Sequence, residues 1–184
     1  FYITAGLDRA LVAELKSRSL DLHDTEIQKN TSDRERFGEG SYEEWYAKGR
    51  TPFALVEQNT GALAALVWFG PKPLGRKSLR HLSPEELAEE CRQPDTGWHT
   101  IVYRSYSPFR GKGLMKDFTT TVMAAYRRAF PGIGLWAGIH TENPVSIGFA
   151  KSLGFIVDKS RSDPETHHYV LVQESTRCPS VALF

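Results

Sequence analysis

"FRGKGLMKDF", residues 109–118, sets Gly111 and Gly113 between the cations Arg110 and Lys112, immediately before a helical pattern. The strand-like "WHTIVYRSY" (98–106) precedes it. A helix is expected from about Gly113 to Arg128, with Leu114, Phe118, Val122, Ala125 and Ala129 on one face. A strand, a glycine-rich turn and a helix N-terminus together make an anion site. The first-turn N–H groups have no intrahelical partner, and the helix dipole adds partial positive charge. Glycines let the backbone approach a ligand with no side chain between. Arg110 and Lys112 add formal charge, so the stretch calls for a phosphate or pyrophosphate. It is no P-loop, and a G-x-G-x-x-G fingerprint begun at Gly111 would need glycine where Lys116 stands. Taken alone, the stretch also reads as a plain turn that binds nothing.

The rest of the chain bounds the possibilities. Its 184 residues suit one domain with a sizeable core, so we expect a single domain over 1–184. Apolar residues make up 40% and charged residues 24%, a soluble globular balance, and the net charge of +1 offers no field for nucleic acid or an anionic membrane. No apolar run is long enough to cross a bilayer. Cys91 and Cys178 are far apart in sequence, and with no signal peptide visible the expectation is a reduced, cytoplasmic protein. Cys91 follows four glutamates, which oppose a thiolate, so neither cysteine reads as a nucleophile.

Outward from the opening stretch, Phe1–Thr4 reads as a strand and 7–20 as a helix with Leu7, Leu11 and Leu15 at four-residue steps. Residues 21–50 are polar, with a helix expected at "SYEEWYAKG" capped by Ser41 and boxed by Glu44. "PFALVEQ" and "ALAALVWF" flank Asn59-Thr60-Gly61 as a hairpin. Residues 71–97 read as an insertion. Lys72, Arg76, Lys77 and Arg80 form a basic loop, and Ser83, Pro84 and Glu86 open a short helix. That insertion is either a solvated excursion or a contact for an acidic substrate. "GLWAGIH" (134–140) is a strand, Asn143-Pro144 starts a helix that Gly154 stops, and "FIVDKS" with "HHYVLVQ" closes the sheet. The fold class is α/β (α+β): a mixed, mostly antiparallel sheet containing one βαβ unit, flanked by helices.

The glycine turn is followed, one helix and one strand later, by "NPVSIGFAKSLGF" (143–155). In this order the two stretches resemble the GNAT superfamily of acyl-CoA-dependent N-acyltransferases. Arg110, Gly113 and Met115 occupy the places of its Arg/Gln-x-x-Gly-x-Gly/Ala turn. Asn143, Ser146, Gly154 and Phe155 match its later helix. The resemblance covers about residues 98–157. It implies a sheet with a V-shaped splay and acetyl-CoA as cosubstrate. Backbone N–H groups of Arg110, Gly111, Lys112, Gly113, Leu114 and Met115 would take the pyrophosphate. The strand near Tyr103–Ser105 would pair with pantetheine, and Asn143 and Phe149 would shape its cleft. Two departures stand out. Met115 replaces a small residue, and Ala150 stands where the family often carries the tyrosine that protonates the departing thiolate.

The implied activity is acetyl transfer from acetyl-CoA to a primary amine by direct attack. A non-catalytic CoA-binding or sensory domain is the alternative that the two departures raise. An ammonium has no lone pair and an ordinary pKa near ~10.4, so a base must help. Glu142 and His140 are the candidate bases, expected to share a strand face, with His99, His167 and His168 behind them. Tyr103 and Tyr106 are the tyrosines that could replace the missing acid. No third ligand joins His140 and Glu142 at a metal-site spacing, so no metal is expected. The acceptor is a small-molecule or peptide amine, and a homodimer stays open because many relatives are dimers.

Overall fold

The computed structural model describes residues 1–75, 85, 97–163 and 168–175. Most of the basic insertion, His167 and both cysteines lie outside them. Among the described residues, seven strands form one sheet in the order β1-β2-β3-β4-β5-β7-β6: β1 (Tyr2–Ala5), β2 (Thr51–Val56), β3 (Leu63–Pro71), β4 (Trp98–Ser105), β5 (Gly134–His140), β6 (Ile156–Asp163) and β7 (His168–Gln173). The pairs β1–β2, β2–β3, β5–β7 and β6–β7 are antiparallel, while β4–β5 is parallel. The mixed, mostly antiparallel sheet expected from the sequence is the one observed. Chain contacts group the residues into two compact units, 1–70 with 101–126 and 71–100 with 127–184.

In the first unit α1 (Arg9–Leu20) is capped by Asp8, whose carboxylate accepts the Leu11 N–H at 2.8 Å. Leu11 and Leu15 are buried as the spacing predicts. The stretch 21–50 is less featureless than its polarity implied. It holds α2 (Thr25–Asn30), a π-helical turn (Arg34–Gly38) and α3 (Tyr42–Tyr46). α3 is capped by Ser41, which accepts the Glu44 N–H at 3.2 Å. Ile27, Phe37 and Trp45 are the apolar anchors of these short pieces. They pack with Leu11, Leu15, Leu66, Trp68 and Tyr106 into one core. Phe37, Trp45 and Trp68 meet edge to face at 5.0 to 5.8 Å between centroids, the favoured aromatic arrangement.

The turn between β2 and β3 is built on Glu57, whose carboxylate accepts the N–H groups of Asn59 and Thr60 at 3.1 and 2.7 Å. α4 (Leu114–Ala129) buries Phe118, Thr119, Val122, Met123 and Tyr126. Ala125 and Ala129 fall off that stripe. The buried stripe runs through Thr119, Met123 and Tyr126 beside Phe118 and Val122, which leaves Ala125 half-buried and Ala129 exposed on its flank. Tyr126 stacks on Phe69 of β3 at 4.2 Å.

The second unit carries the parallel pairing, Trp98↔Gly134, His99↔Leu135 and Thr100↔Trp136. A side chain at Gly134 would meet the Trp98 ring at 2.5 Å, so glycine is required there. Trp136 donates its indole N–H to the Lys72 carbonyl at 3.0 Å, and the Lys72 ammonium lies over its ring at 5.0 Å. Lys72, one of the four cations of the insertion, is thereby placed on an aromatic face. α5 (Pro144–Ser152) starts at Asn143, whose side chain accepts the Ser146 N–H at 3.0 Å, and Gly154 follows it with φ +89°. On β6 the register jumps from Asp158↔Val170 to Asp163↔His168. The intervening bulge is tied down by Asp158, which accepts from Ser160 and Arg161. Among the described residues, no helix is long and apolar enough to cross a membrane.

Candidate functional site

Within the first unit, β4 feeds the glycine turn and the turn feeds α4. Gly111 and Gly113 have φ +78° and +76°, a region that L side chains rarely adopt. A Cβ at either would meet nothing within 4 Å, so these glycines are needed for backbone conformation and not for room inside the protein. Gly111, Lys112 and Gly113 are exposed. The Arg110 N–H donates to the Tyr106 carbonyl at 3.0 Å, closing the turn before the glycines. The N–H groups on offer to an anion therefore begin at Gly111. They continue into the unpartnered first turn of the helix at Leu114 and Met115.

Arg110 is placed differently from the sequence expectation. Its guanidinium binds both oxygens of Asp24 at 3.0 and 2.8 Å, and donates twice to the Ser105 carbonyl at 3.2 and 2.8 Å. Asp24 also caps α2 through the Ile27 N–H at 3.2 Å. Burial alone would raise the Asp24 carboxyl. The Arg110 hydrogen bonds, the Ile27 N–H and the charges of Arg110 and Arg18 outweigh it, so Asp24 sits below the usual carboxylate range. Arg18 of α1 makes a second staple, donating to the Ser107 carbonyl at 2.8 Å. Arg110 is thus an anchor of the turn, and Ser105 offers no unused carbonyl. The Tyr103 carbonyl accepts Arg104 Nη1 at 2.9 Å. Lys112 is the cation that stays at the surface of the turn, over the Phe109 ring at 5.6 Å.

Tyr106 is 1% exposed, and its hydroxyl has no hydrogen-bond partner among the described residues. Burial, reinforced by the Asp33 carboxylate, pushes its phenol well above the usual range. It is a core residue and a poor proton donor, which removes it from the candidate acids.

In the second unit β5 ends at His140, so Glu142 lies in the following turn and shares no strand face with it. The Glu142 N–H donates to His140 Nδ1 at 3.3 Å. In the neutral ring the proton then sits on Nε2. His140 faces His168 across the β5–β7 ladder, with ring centroids 5.2 Å apart. Glu142 and His168 are exposed. His99 is 5% exposed and packs edge-on to Phe130 at 5.5 Å, a core position closed to an acceptor. Phe149 is half-buried, and Ala150 is fully buried, with its carbonyl taking the N–H groups of Leu153 and Phe155. Among the described residues, no group of three or more His, Cys, Asp and Glu could hold a metal ion.

The pairing of Arg110 with Asp24 was not readable beforehand. Asp24 carries an N-cap signal before "TEIQKN", but nothing local in the sequence connects it to the glycine turn.

No family model matches the chain, and no curated protein matches it. Solved structures do. An aminoglycoside acetyltransferase AAC(6')-Ib in complex with coenzyme A and kanamycin superposes with a TM-score of 0.60 at 14% identity, over 94% of this chain and 95% of that one. The protein yncA from Salmonella typhimurium, with its cofactor acetyl-CoA, gives 0.60 at 16% identity, over 94% and 93%. A spermidine N-acetyltransferase chimera involving SpeG from Vibrio cholerae gives 0.56 at 15% identity, over 92% of each chain. The chain has the GNAT acetyltransferase fold.

Proposed function

We propose that the protein is an acetyl-CoA-dependent N-acetyltransferase acting on a primary amine. The observation that carries this reading is the exposed turn Gly111–Gly113, with positive-φ glycines and open backbone, directly before the first turn of α4. Backbone N–H groups from Gly111 to Met115 would take the pyrophosphate, with Lys112 supplying mobile positive charge. Asp24 and Arg18 hold the turn's entry in place through Arg110 and the Ser107 carbonyl. Asn143 and Phe149 are proposed to contact the pantetheine arm, as the family's second motif would have them do.

In the reaction the amine nitrogen attacks the thioester carbonyl, the C–N bond forms, and the C–S bond breaks to release CoA thiolate. The ammonium proton must leave first, and we propose Glu142 as the base that takes it. His140 is the weaker choice, because its Nδ1 lone pair already accepts the Glu142 N–H. A thiol has an ordinary pKa near ~8.5, so the thiolate leaves tolerably near neutrality and water can protonate it.

The full burial of Ala150, in the place of the family's tyrosine acid, favours one second reading: a domain that binds CoA without turnover. A thiol-release assay with acetyl-CoA over a panel of amines, run beside calorimetric binding of acetyl-CoA, decides between them. Release with an amine present supports the transferase. Binding with no release from any amine supports the second reading, and no binding defeats both.

A further inference from the structure

A second charged cluster lies in the first unit, apart from the glycine turn. Asp33, 1% exposed, accepts from Arg104 Nε and Nη2 at 2.6 and 3.0 Å and from Arg36 Nη1 at 2.7 Å. Both guanidinium groups also lie over Trp68, Arg104 at 5.0 Å and Arg36 at 5.7 Å from the ring centroid. One carboxylate and one indole are therefore shared by two fixed cations, and the Phe37 ring also lies under Arg36 at 5.7 Å. Two guanidinium charges face one carboxylate, and Arg104 holds it with two hydrogen bonds against one from Arg36, the stronger geometry for such a pair. Arg36 is in excess. Its side chain is 32% exposed, and among the described residues its only hydrogen bond is the one to Asp33. A guanidinium has five N–H donors in a rigid fork, so the remaining edge is unspent. Desolvation, with the charges of Arg104 and Arg50 against the single Asp33, holds Arg36 below its ordinary range, as an under-neutralised cation should be.

We propose that the open edge of Arg36, braced by Trp68 and Asp33, binds the anionic group of an acceptor that carries both an amine and a carboxylate. This rests on the transferase reading and names its substrate class. Arg104 is itself a residue of β4, the strand that the resemblance sets beside pantetheine. The acceptors named in two structures of the same fold, kanamycin and spermidine, are polycations. Paired arginines repel such molecules and match a carboxylate bidentately.

Three amines with the same number of carbons test the proposal: γ-aminobutyrate, butylamine and putrescine, whose far ends are negative, neutral and positive. In thiol release the expected order of kcat/KM is γ-aminobutyrate, then butylamine, then putrescine. Arg36→Gln should raise the γ-aminobutyrate KM by about tenfold, the worth of one charge-assisted hydrogen bond, and leave the acetyl-CoA KM unchanged. Arg36→Lys, which keeps the charge and loses the fork, should fall between. An NMR titration following the Trp68 indole N–H reads binding of the same amines without turnover. If γ-aminobutyrate shifts that signal in the wild type and not in Arg36→Gln, the anion site stands even should all three amines fail to react, and only the transferase reading is lost. A preference for putrescine, equal rates for all three, or an indole response that Arg36→Gln leaves intact overturns the site.

Discussion

The Asp24 carboxylate grips the Arg110 guanidinium through two hydrogen bonds, 3.0 and 2.8 Å, between residues 86 positions apart in sequence. The same guanidinium closes on the Ser105 carbonyl, so α2, the end of β4 and the glycine turn share one ionic joint. Asp24→Asn keeps the cap on α2 and removes the charge. We expect acetyl-CoA affinity to fall by about 1 kcal/mol, roughly fivefold, because the turn loses its fixed entry and no direct ligand contact. Calorimetry with acetyl-CoA checks this. Asp24→Ala should cost about 1 kcal/mol more in stability, through the lost cap.

The same joint predicts an acid limb in stability. The Asp24 carboxyl is lowered in the folded protein relative to its unfolded value near ~3.9. Its contribution is therefore complete above that value and is lost as pH falls through the folded one. Urea midpoints measured downward from neutrality should decline over that acid range. The decline should be shallower in Asp24→Asn, and an identical slope in both proteins would remove Asp24 from the acid response.

Gly111→Ala and Gly113→Ala should each destabilise by about 1–2 kcal/mol, the cost of a side chain in the left-handed region, since the space around both is open. Asn at either position should cost less. If these glycines serve the pyrophosphate, the Ala variants also lose affinity for CoA and keep it for pantetheine. Thermal denaturation and paired calorimetric titrations separate the two effects.

What the sequence made legible was local. Ser41 and Asn143 announce their helices because a cap and the N–H that donates to it lie three residues apart. The β2–β3 hairpin, β5 and the chain's closing strands were likewise legible from run lengths and turn residues. α2 and the π-helical turn were not, because Ile27 and Phe37 are single apolar anchors in a polar stretch and set up no periodicity. The candidate site divides in the same way. The glycine turn is contiguous and could be read. Its anchor Asp24, and the Asp33–Arg104 pair 71 positions apart, depend on tertiary contacts that leave no local trace. His99 illustrates the converse, since its place on a central strand suggested chemistry and the fold gives it Phe130 as a neighbour.

Arg104→Met should destabilise by about 1–3 kcal/mol, because it strips the bidentate partner from a carboxylate that is 1% exposed and leaves Arg36 to hold it alone. Arg104→Met together with Arg36→Gln removes both cations from the buried carboxylate and should cost more than the sum of the two single changes. Urea unfolding of the three variants measures the difference. Losses that simply add would mean that the two arginines do not share the task of offsetting the Asp33 charge.

The last expectation concerns how the rate depends on pH. With Ala150 in the place of the usual acid and Tyr106 buried with its phenol pushed up, Tyr103 is the remaining tyrosine among the candidates. Proton loss from the amine is the harder step, with roughly three units between its ordinary pKa and neutrality. We therefore expect kcat to rise with pH and then flatten, with no falling alkaline limb. Glu142→Gln should depress the rise by about a hundredfold, the lower range for removing a general base, whereas His140→Ala should act less and Tyr103→Phe should leave the plateau within about twofold. Steady-state rates across the pH range, for the wild type and these three variants, provide the test. A bell-shaped profile whose alkaline limb vanishes in Tyr103→Phe would show that Tyr103 protonates the leaving thiolate, and the assignment of that proton to water would be wrong.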